Sequence, residues 1–129
     1  MTNVVVDTNV LVSALLAPAG KPAQVLALIL NGRATICYDS RILLEYKDVL
    51  YRPKFPFAPE DVAGLLRVIT QIGTAVVAPP LPDSFSDESD KKFFEVARAT
   101  QALLITGNVR HFPRDACIIS PADFLNEIH

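Results

Sequence analysis

The feature that most constrains the fold of this chain is an alternation of short apolar runs with longer segments of helical periodicity. The runs that predict strands are continuous and rich in β-branched residues, and they cover residues 3–6, 34–38, 74–77, 103–106 and 117–119. The segments that predict helices cover residues 8–16, 23–30, 40–51, 60–71, 121–128 and a stretch that begins between 86 and 89 and ends near 100. Continuous apolar strands joined through helices are typical of a parallel sheet with both faces covered. The sequence therefore predicts an α/β protein, a three-layer α/β/α sandwich around a parallel sheet of about five short strands.

Length and composition favour one ordinary globular unit. A chain of 129 residues can bury enough apolar surface to fold without disulfides, so we expect a single domain over residues 1–129. Cys37 and Cys117 lie in apolar runs without the spacing of zinc ligands, which favours buried thiols in a reducing compartment. No apolar stretch approaches the roughly 20 residues of a membrane span, and the start lacks the pattern of a secretion signal. These features predict a cytoplasmic protein.

Two aspartates stand where a parallel sheet places its functional residues. Asp7 directly follows the strand that ends at Val6, and functional groups collect at the carboxyl ends of such strands. Asp90 shares a predicted helix face with Phe93 and Phe94, so we expect its carboxylate to point inward. The alternative for Asp7, a cap of the next helix, stays open.

Three further side chains can bring oxygen atoms to the same place. Glu45 lies on the flank of the third predicted helix, Asn108 follows the fourth predicted strand, and Asp87 stands in the first turn of the helix that carries Asp90. Each has a structural alternative. Glu45 can pair with Lys47 or Arg41 on the surface, Asp87 can cap its helix, and Asn108 can serve as a turn residue.

Clustered carboxylates need a compensating positive charge. Two of them about 4 Å apart repel by roughly 4 kcal/mol at an effective dielectric constant near 20. A set of oxygen ligands without histidine or cysteine suits Mg²⁺ or Mn²⁺, and such an ion usually completes its shell with water and phosphate oxygens. The acidic set therefore predicts metal-dependent phosphoryl chemistry.

Five segments, in order along nearly the whole chain, resemble the PIN-domain nucleases. They resemble most closely the prokaryotic PIN toxins of toxin–antitoxin systems, which include the VapC-type ribonucleases. The segments are VVVDTNVL over residues 4–11, S-x-x-L-x-E over 40–45, D-x-x-DKKF over 87–93, LITGNVRHF over 104–112 and SPADFL over 120–125.

The resemblance assigns roles to individual residues. It implies that Asp7, Glu45 and Asp90 are acidic catalytic and metal-binding positions, and that Asn108 occupies a fourth position where many relatives carry Asp. Asp87 is a further candidate ligand. An Asn at the fourth position removes one charge, which leaves the number of ions at one or two. The residues that the resemblance assigns to orienting these carboxylates are Thr8, Asn9 and Thr106.

The resemblance also implies an activity and partners. It implies endonucleolytic cleavage of single-stranded RNA with Mg²⁺ or Mn²⁺, a cognate antitoxin protein and a homodimer. The formal charge of −2 argues against a nucleic-acid interface built on a global positive field, so cations near the cleft must help locally. The expected RNA contacts are Arg110 first, then Lys91 and Lys92, with Lys21, Lys47, Arg52, Lys54 and His111 as further candidates.

Two other classes of protein remain to be weighed. A PIN fold that has lost activity and serves as a binding or assembly module would lack part of the acidic set, which is nearly complete here. A phosphatase of the haloacid dehalogenase type usually has Asp-x-Asp after its first strand, whereas this chain has Asp7 followed by Thr8 and Asn9. The nuclease is therefore the favoured function, with the inactive binding module as the alternative.

Overall fold

The computed structural model describes residues 2–128 of the chain. Its strands are β1 Thr2–Val6, β2 Ala34–Tyr38, β3 Thr74–Ala75, β4 Leu103–Ile105 and β5 Ile118–Ile119. Its helices are α1 Thr8–Leu16, α2 Lys21–Leu30, α3 Ser40–Leu50, α4 Pro59–Ile72, α5 Lys91–Thr100 and α6 Pro121–Glu127. A 3₁₀ turn at Glu88–Asp90 precedes α5, and another at Val109–His111 follows β4.

The strands described in residues 2–128 form one sheet in the order β3-β2-β1-β4-β5, with every neighbouring pair parallel. Val4 of β1 is in register with Ile36 of β2 on one side and with Leu103 of β4 on the other. The predicted fold class, a parallel α/β sandwich, is confirmed. From β1 the chain adds β2 and β3 on one side of the sheet and then β4 and β5 on the other. This change in strand order places a crevice at the carboxyl ends of β1 and β4, and α/β proteins carry their sites in such crevices.

The core lies on both faces of β1. Val4, Val5 and Val6 are all buried, as a continuous apolar strand at the centre of a sheet requires. Phe93 and Phe94 of α5 are buried with them, and α5 packs against both β1 and β2. Around this centre, α2 packs against α1 and α6, while α3 packs against α4 and α5.

Element ends differ from the sequence-based predictions in two places that affect the site. The last helix before β4 begins at Lys91 rather than between residues 86 and 89, because the chain first forms the 3₁₀ turn Glu88–Asp90. The sequence also predicts Ser40 as the cap of α3; the cap is instead Asp39, since the Asp39 carboxylate accepts a hydrogen bond of 3.0 Å from Ile42 N.

Gly73 marks a close approach between α4 and the sheet. A Cβ atom at this position would lie 2.6 Å from Ile69 O and 2.8 Å from Ile36 O, both backbone atoms that cannot easily move. The glycine therefore permits the chain to leave α4 and pair at once with β2.

No single helix within residues 2–128 is long and apolar enough to cross a membrane, although α1 and α2, bent by 104° at their junction, reach the required length and composition together. Of the two cysteines, Cys37 is buried as predicted, whereas Cys117 is only partly buried.

Candidate active site

Asp7 lies at the junction of β1, α1 and β4. Its backbone N–H donates to Ile105 O at 2.9 Å, which continues the pairing of the two strands by one residue. The side chain is 6% exposed, and Thr106 Oγ1 donates to its Oδ2 at 2.7 Å. Among the described residues the Asp7 carboxylate makes no cap hydrogen bond to α1, so its place at the helix start is not explained by capping.

Glu45 reaches the same junction from α3. Thr8 Oγ1 donates to Glu45 Oε2, and Lys92 Nζ lies 2.7 Å from Glu45 Oε1. The helix is held against β1 at this level because Tyr46 Oη donates to Val6 O at 2.5 Å. Glu45 thus contacts α1 and α5. The alternative, a surface pair with Lys47 or Arg41, is not formed.

Asp90 occupies the third corner, where the 3₁₀ turn passes into α5. Its side chain is 18% exposed, and its Oδ2 lies 3.9 Å from His111 Nδ1. Asp87, three residues earlier, is exposed, and its Oδ1 accepts from Ser89 N at 2.9 Å and from Ser89 Oγ at 2.6 Å. These hydrogen bonds lower the pKa of Asp87. Asp87 therefore acts as a cap of the turn, while Asp90 faces the other acidic groups.

The three carboxylates of Asp7, Glu45 and Asp90 interact electrostatically. Burial raises the pKa of Asp7 to about 6; the hydrogen bond from Thr106 opposes that rise, and the negative charges of Asp90 and Glu45 add to it. The pKa of Asp90 is also raised, first by burial and then by Asp87, with Glu45 contributing as well. We call these three carboxylates, which lie up to 83 positions apart in the sequence, the acidic site.

Thr106 connects Asp7 with the segment that carries Asn108. Its hydroxyl donates to Asp7 and accepts from Asn108 N at 3.0 Å, so one side chain orders both residues. Asn108 itself is exposed. Asn9 lies close by, and within residues 2–128 its Oδ1 is buried without a hydrogen-bond partner.

The acidic site and its amide neighbours Asn9 and Asn108 have the oxygen atoms that a divalent cation needs, but these atoms are not gathered around one point. Within residues 2–128 no three His, Cys, Asp or Glu side chains are placed closely enough to hold a metal ion together. The donor chemistry nevertheless fits Mg²⁺ or Mn²⁺, because the facing groups are carboxylate and amide oxygens. Burial and neighbouring negative charges raise the pKa of Asp7 and Asp90, because they make the ionised carboxylates less stable. A bound cation would offset that cost through its own positive charge.

The cations expected to contact RNA are placed differently from one another. Lys92 is 12% exposed and paired with Glu45, so its charge faces the acidic site. Lys91 is half-buried at the start of α5, and Arg110 is exposed in a surface cavity of about 310 Å³ formed by residues 107–111. Arg110 is thus the most accessible of the three, beside Asn108.

An ion pair between Arg41 and Glu95, which was not predicted from the sequence, holds α3 to α5. Glu95 is 4% exposed, and its carboxylate binds Arg41 Nη1 at 2.7 Å and accepts from Leu81 N at 2.8 Å. Arg41 also pairs with Asp39 at 2.7 Å. A charged residue between Phe94 and Val96, in a run of buried positions, was the signal that could have revealed this contact.

The comparisons with known proteins agree with this geometry. Residues 3–110 match the PIN domain family. The chain is also 32% identical over 108 residues to "Uncharacterized protein MJ1680" of Methanocaldococcus jannaschii, an alignment that covers 81% of this chain and 70% of that protein. The matched region includes Asp7, Glu45, Asp90 and Asn108. The chain belongs to the PIN domain family.

Proposed function

We propose that this protein is a metal-dependent endoribonuclease that cleaves single-stranded RNA. The observation that carries the proposal is the acidic site, in which Asp7, Glu45 and Asp90 come from three separate elements and the neighbouring negative charges help to raise the pKa of Asp7 and of Asp90. PIN domains are generally nucleases and usually bind divalent metals, so the family supports the same chemistry.

In this proposal Asp7, Glu45 and Asp90 hold the cation, with Asn108 at the edge of the site. Mg²⁺ or Mn²⁺, when bound, polarises a phosphodiester and the water that attacks it. The hydroxyl of Thr106 holds Asp7 in one orientation, and the hydroxyl of Thr8 does the same for Glu45. The exposed guanidinium of Arg110 is placed to contact a phosphate of the substrate.

The biological role that we propose is that of a toxin in a toxin–antitoxin system. The support is the resemblance of the five sequence segments to VapC-type toxins. It extends to a cognate antitoxin protein whose cationic side chains enter the acidic site, to a homodimer and to a cytoplasmic location. If the native protein from cells that express its whole operon carries no small protein partner, the antitoxin part of the proposal is wrong.

The test of the enzyme is cleavage of end-labelled single-stranded RNA with Mg²⁺ or Mn²⁺, compared with EDTA. We expect Asp7→Asn and Asp90→Asn to abolish cleavage without unfolding the protein. Asp61→Asn is the matched control, because Asp61 is an exposed carboxylate on α4, outside the acidic site. Cleavage by Asp7→Asn at the parental rate contradicts the site assignment.

A second candidate, a PIN fold that binds without cleaving, is favoured by two observations. Lys92 already forms an ion pair with Glu45, and within residues 2–128 no three carboxylates lie close enough together to bind one metal ion. The two functions separate in one experiment. The binding module predicts no cleavage with either metal and no change in thermal stability on adding it, whereas saturation at about 100 times the Kd stabilises a metalloenzyme by about 2.7 kcal/mol.

A further inference from the structure

An open pocket of about 280 Å³ lies between α1 and α3, directly beside the acidic site. Asp7 and Glu45 form its polar end, and Val12 and Val49 line its apolar part. The far rim is the segment that follows α3, where Phe55 lines the pocket. The pocket therefore leads from the carboxylates to an apolar and aromatic surface.

The ring of Phe55 is held in place by its neighbours. It stacks on Phe57 with ring centroids 5.3 Å apart and planes inclined by 13°. Pro53 and Pro56 flank Phe55 and restrict the backbone, since each fixes its own φ angle. Because little freedom remains to be lost, this ring can stack on a ligand at a small cost in entropy.

Positive charge accompanies the aromatic surface. Lys54 Nζ lies over the face of the Phe55 ring, 5.1 Å from its centre, and Arg52 is on the same rim of the pocket. Both side chains are exposed, and Arg52 pairs only with the exposed carboxylate of Asp48 among the contacts described. An aromatic ring with cations beside it is the combination that binds single-stranded nucleic acid, with the base on the ring and the phosphates on the cations.

We infer that this pocket is a nucleobase subsite for the single-stranded RNA, in which one base adjoining the cleaved phosphate displaces the exposed Lys54 ammonium from the Phe55 ring and stacks in its place. The inference rests on the proposed nuclease function and names where its substrate is held. The volume lies near the lower end of the roughly 300–1,000 Å³ of small-molecule pockets, which suits one base and not a larger ligand. Lys54 and Arg52 then contact the phosphates that flank this base.

The test is binding of a short, fluorescently labelled single-stranded RNA in Mg²⁺, followed by anisotropy. All variants are made in the Asp90→Asn background, so that the RNA stays intact while the pocket keeps all its residues. We expect Phe55→Ala and Phe55→Leu to weaken binding about 10-fold, because stacking of one base contributes on that order. Phe55→Trp, which keeps an aromatic ring, should bind as tightly as the Asp90→Asn protein without a further change. Tyr51→Ala, which removes an exposed aromatic ring that does not line this pocket, should also bind that tightly.

A second measurement assigns the effect to a base. Replacing one base at a time by an abasic site should weaken binding at one position in the parent, and Phe55→Leu should abolish the penalty at that position. Phe55→Leu keeps an apolar contact with Phe57, and a thermal melt confirms that it is folded.

The outcomes separate this inference from the proposed function. If Phe55→Leu binds like the parent, if Tyr51→Ala loses as much, or if the folded parent binds no RNA, the subsite is wrong. If cleavage requires metal and Asp7 but binding ignores Phe55, the nuclease stands and the subsite falls. If binding requires Phe55 and the protein with an intact acidic site never cleaves, the subsite stands and the nuclease falls.

Discussion

Replacing Asp7 with asparagine should stabilise the metal-free protein at neutral and alkaline pH. The Asp7 carboxylate is buried beside two like charges, and its pKa is raised from 3.8 to about 6. That difference corresponds to about 3 kcal/mol of unfavourable free energy when the group is ionised in the folded state. Asparagine has nearly the same shape, and its oxygen can still accept the hydroxyl of Thr106.

The sign of the pH dependence follows from the direction of the shift. Between about pH 3.8 and pH 6 the folded protein holds a proton on Asp7 more often than the unfolded chain does, so this group's contribution to stability falls as the pH rises. Above about pH 6 the full penalty applies. We therefore expect Asp7→Asn to gain about 3 kcal/mol near pH 8 and only about 0.6 kcal/mol near pH 4.

The assay is urea unfolding followed by far-ultraviolet circular dichroism, with EDTA present at both pH values. For a chain of this size the gain near pH 8 corresponds to a rise in Tm of about 10 °C. Asp48→Asn, which removes an exposed carboxylate from α3, should change stability by less than about 0.5 kcal/mol. A loss of stability for Asp7→Asn near pH 8, or an equal gain at both pH values, would refute the electrostatic account of the site.

Three other predictions concern packing, an ion pair and the metal. Gly73→Ala should destabilise the protein by about 1–3 kcal/mol in the same unfolding assay, because its Cβ would meet two backbone oxygens. Gly64→Ala, in α4, should instead stabilise it by about 0.5–1 kcal/mol, because the new Cβ would make only an ordinary contact with the Arg67 side chain at 3.8 Å. Glu95→Ala should cost about 2–3 kcal/mol, since Arg41 and Leu81 N lose a buried carboxylate partner, and a variant as stable as the parent would show that the pair is dispensable. Mg²⁺ should raise the Tm of the parent and leave that of Asp90→Asn unchanged, as a titration by differential scanning calorimetry would show.

The fold could be predicted from the sequence because its signals are local. The centre of the sheet is marked by the apolar runs Val4–Val6 in β1 and Leu103–Ile105 in β4, and β2 begins and ends where the pattern places it, at Ala34 and Tyr38. β3 and β5 are only two residues long, since strand ends depend on which neighbours are present to pair. The 3₁₀ turn before α5 was missed for a related reason: its hydrogen bonds to Asp87 replace the first helical turn that periodicity predicts.

The sequence singled out the acidic residues as candidates, but it gave no indication of their contacts. Asp7 and Asp90 were indicated by a strand end and by a buried helix face, which are properties of each segment alone. The pairing of Lys92 with Glu45 joins residues on different helices, and no local pattern encodes it. The same holds for the place of Phe55, whose neighbours in the pocket come from β1, α1 and α3.

The central position of β1 has a consequence for how the protein is made. One neighbour of β1 in the sheet is β4, and Asp7 is bonded to a threonine 99 positions further along the chain. Such distant pairing is slow to form. A chain still emerging from the ribosome can build β1, α1, α2 and β2 before residue 90 exists outside the tunnel, so it carries Asp7 without the groups that complete the acidic site. The topology therefore keeps the three carboxylates of the acidic site apart until residue 90 has left the ribosome.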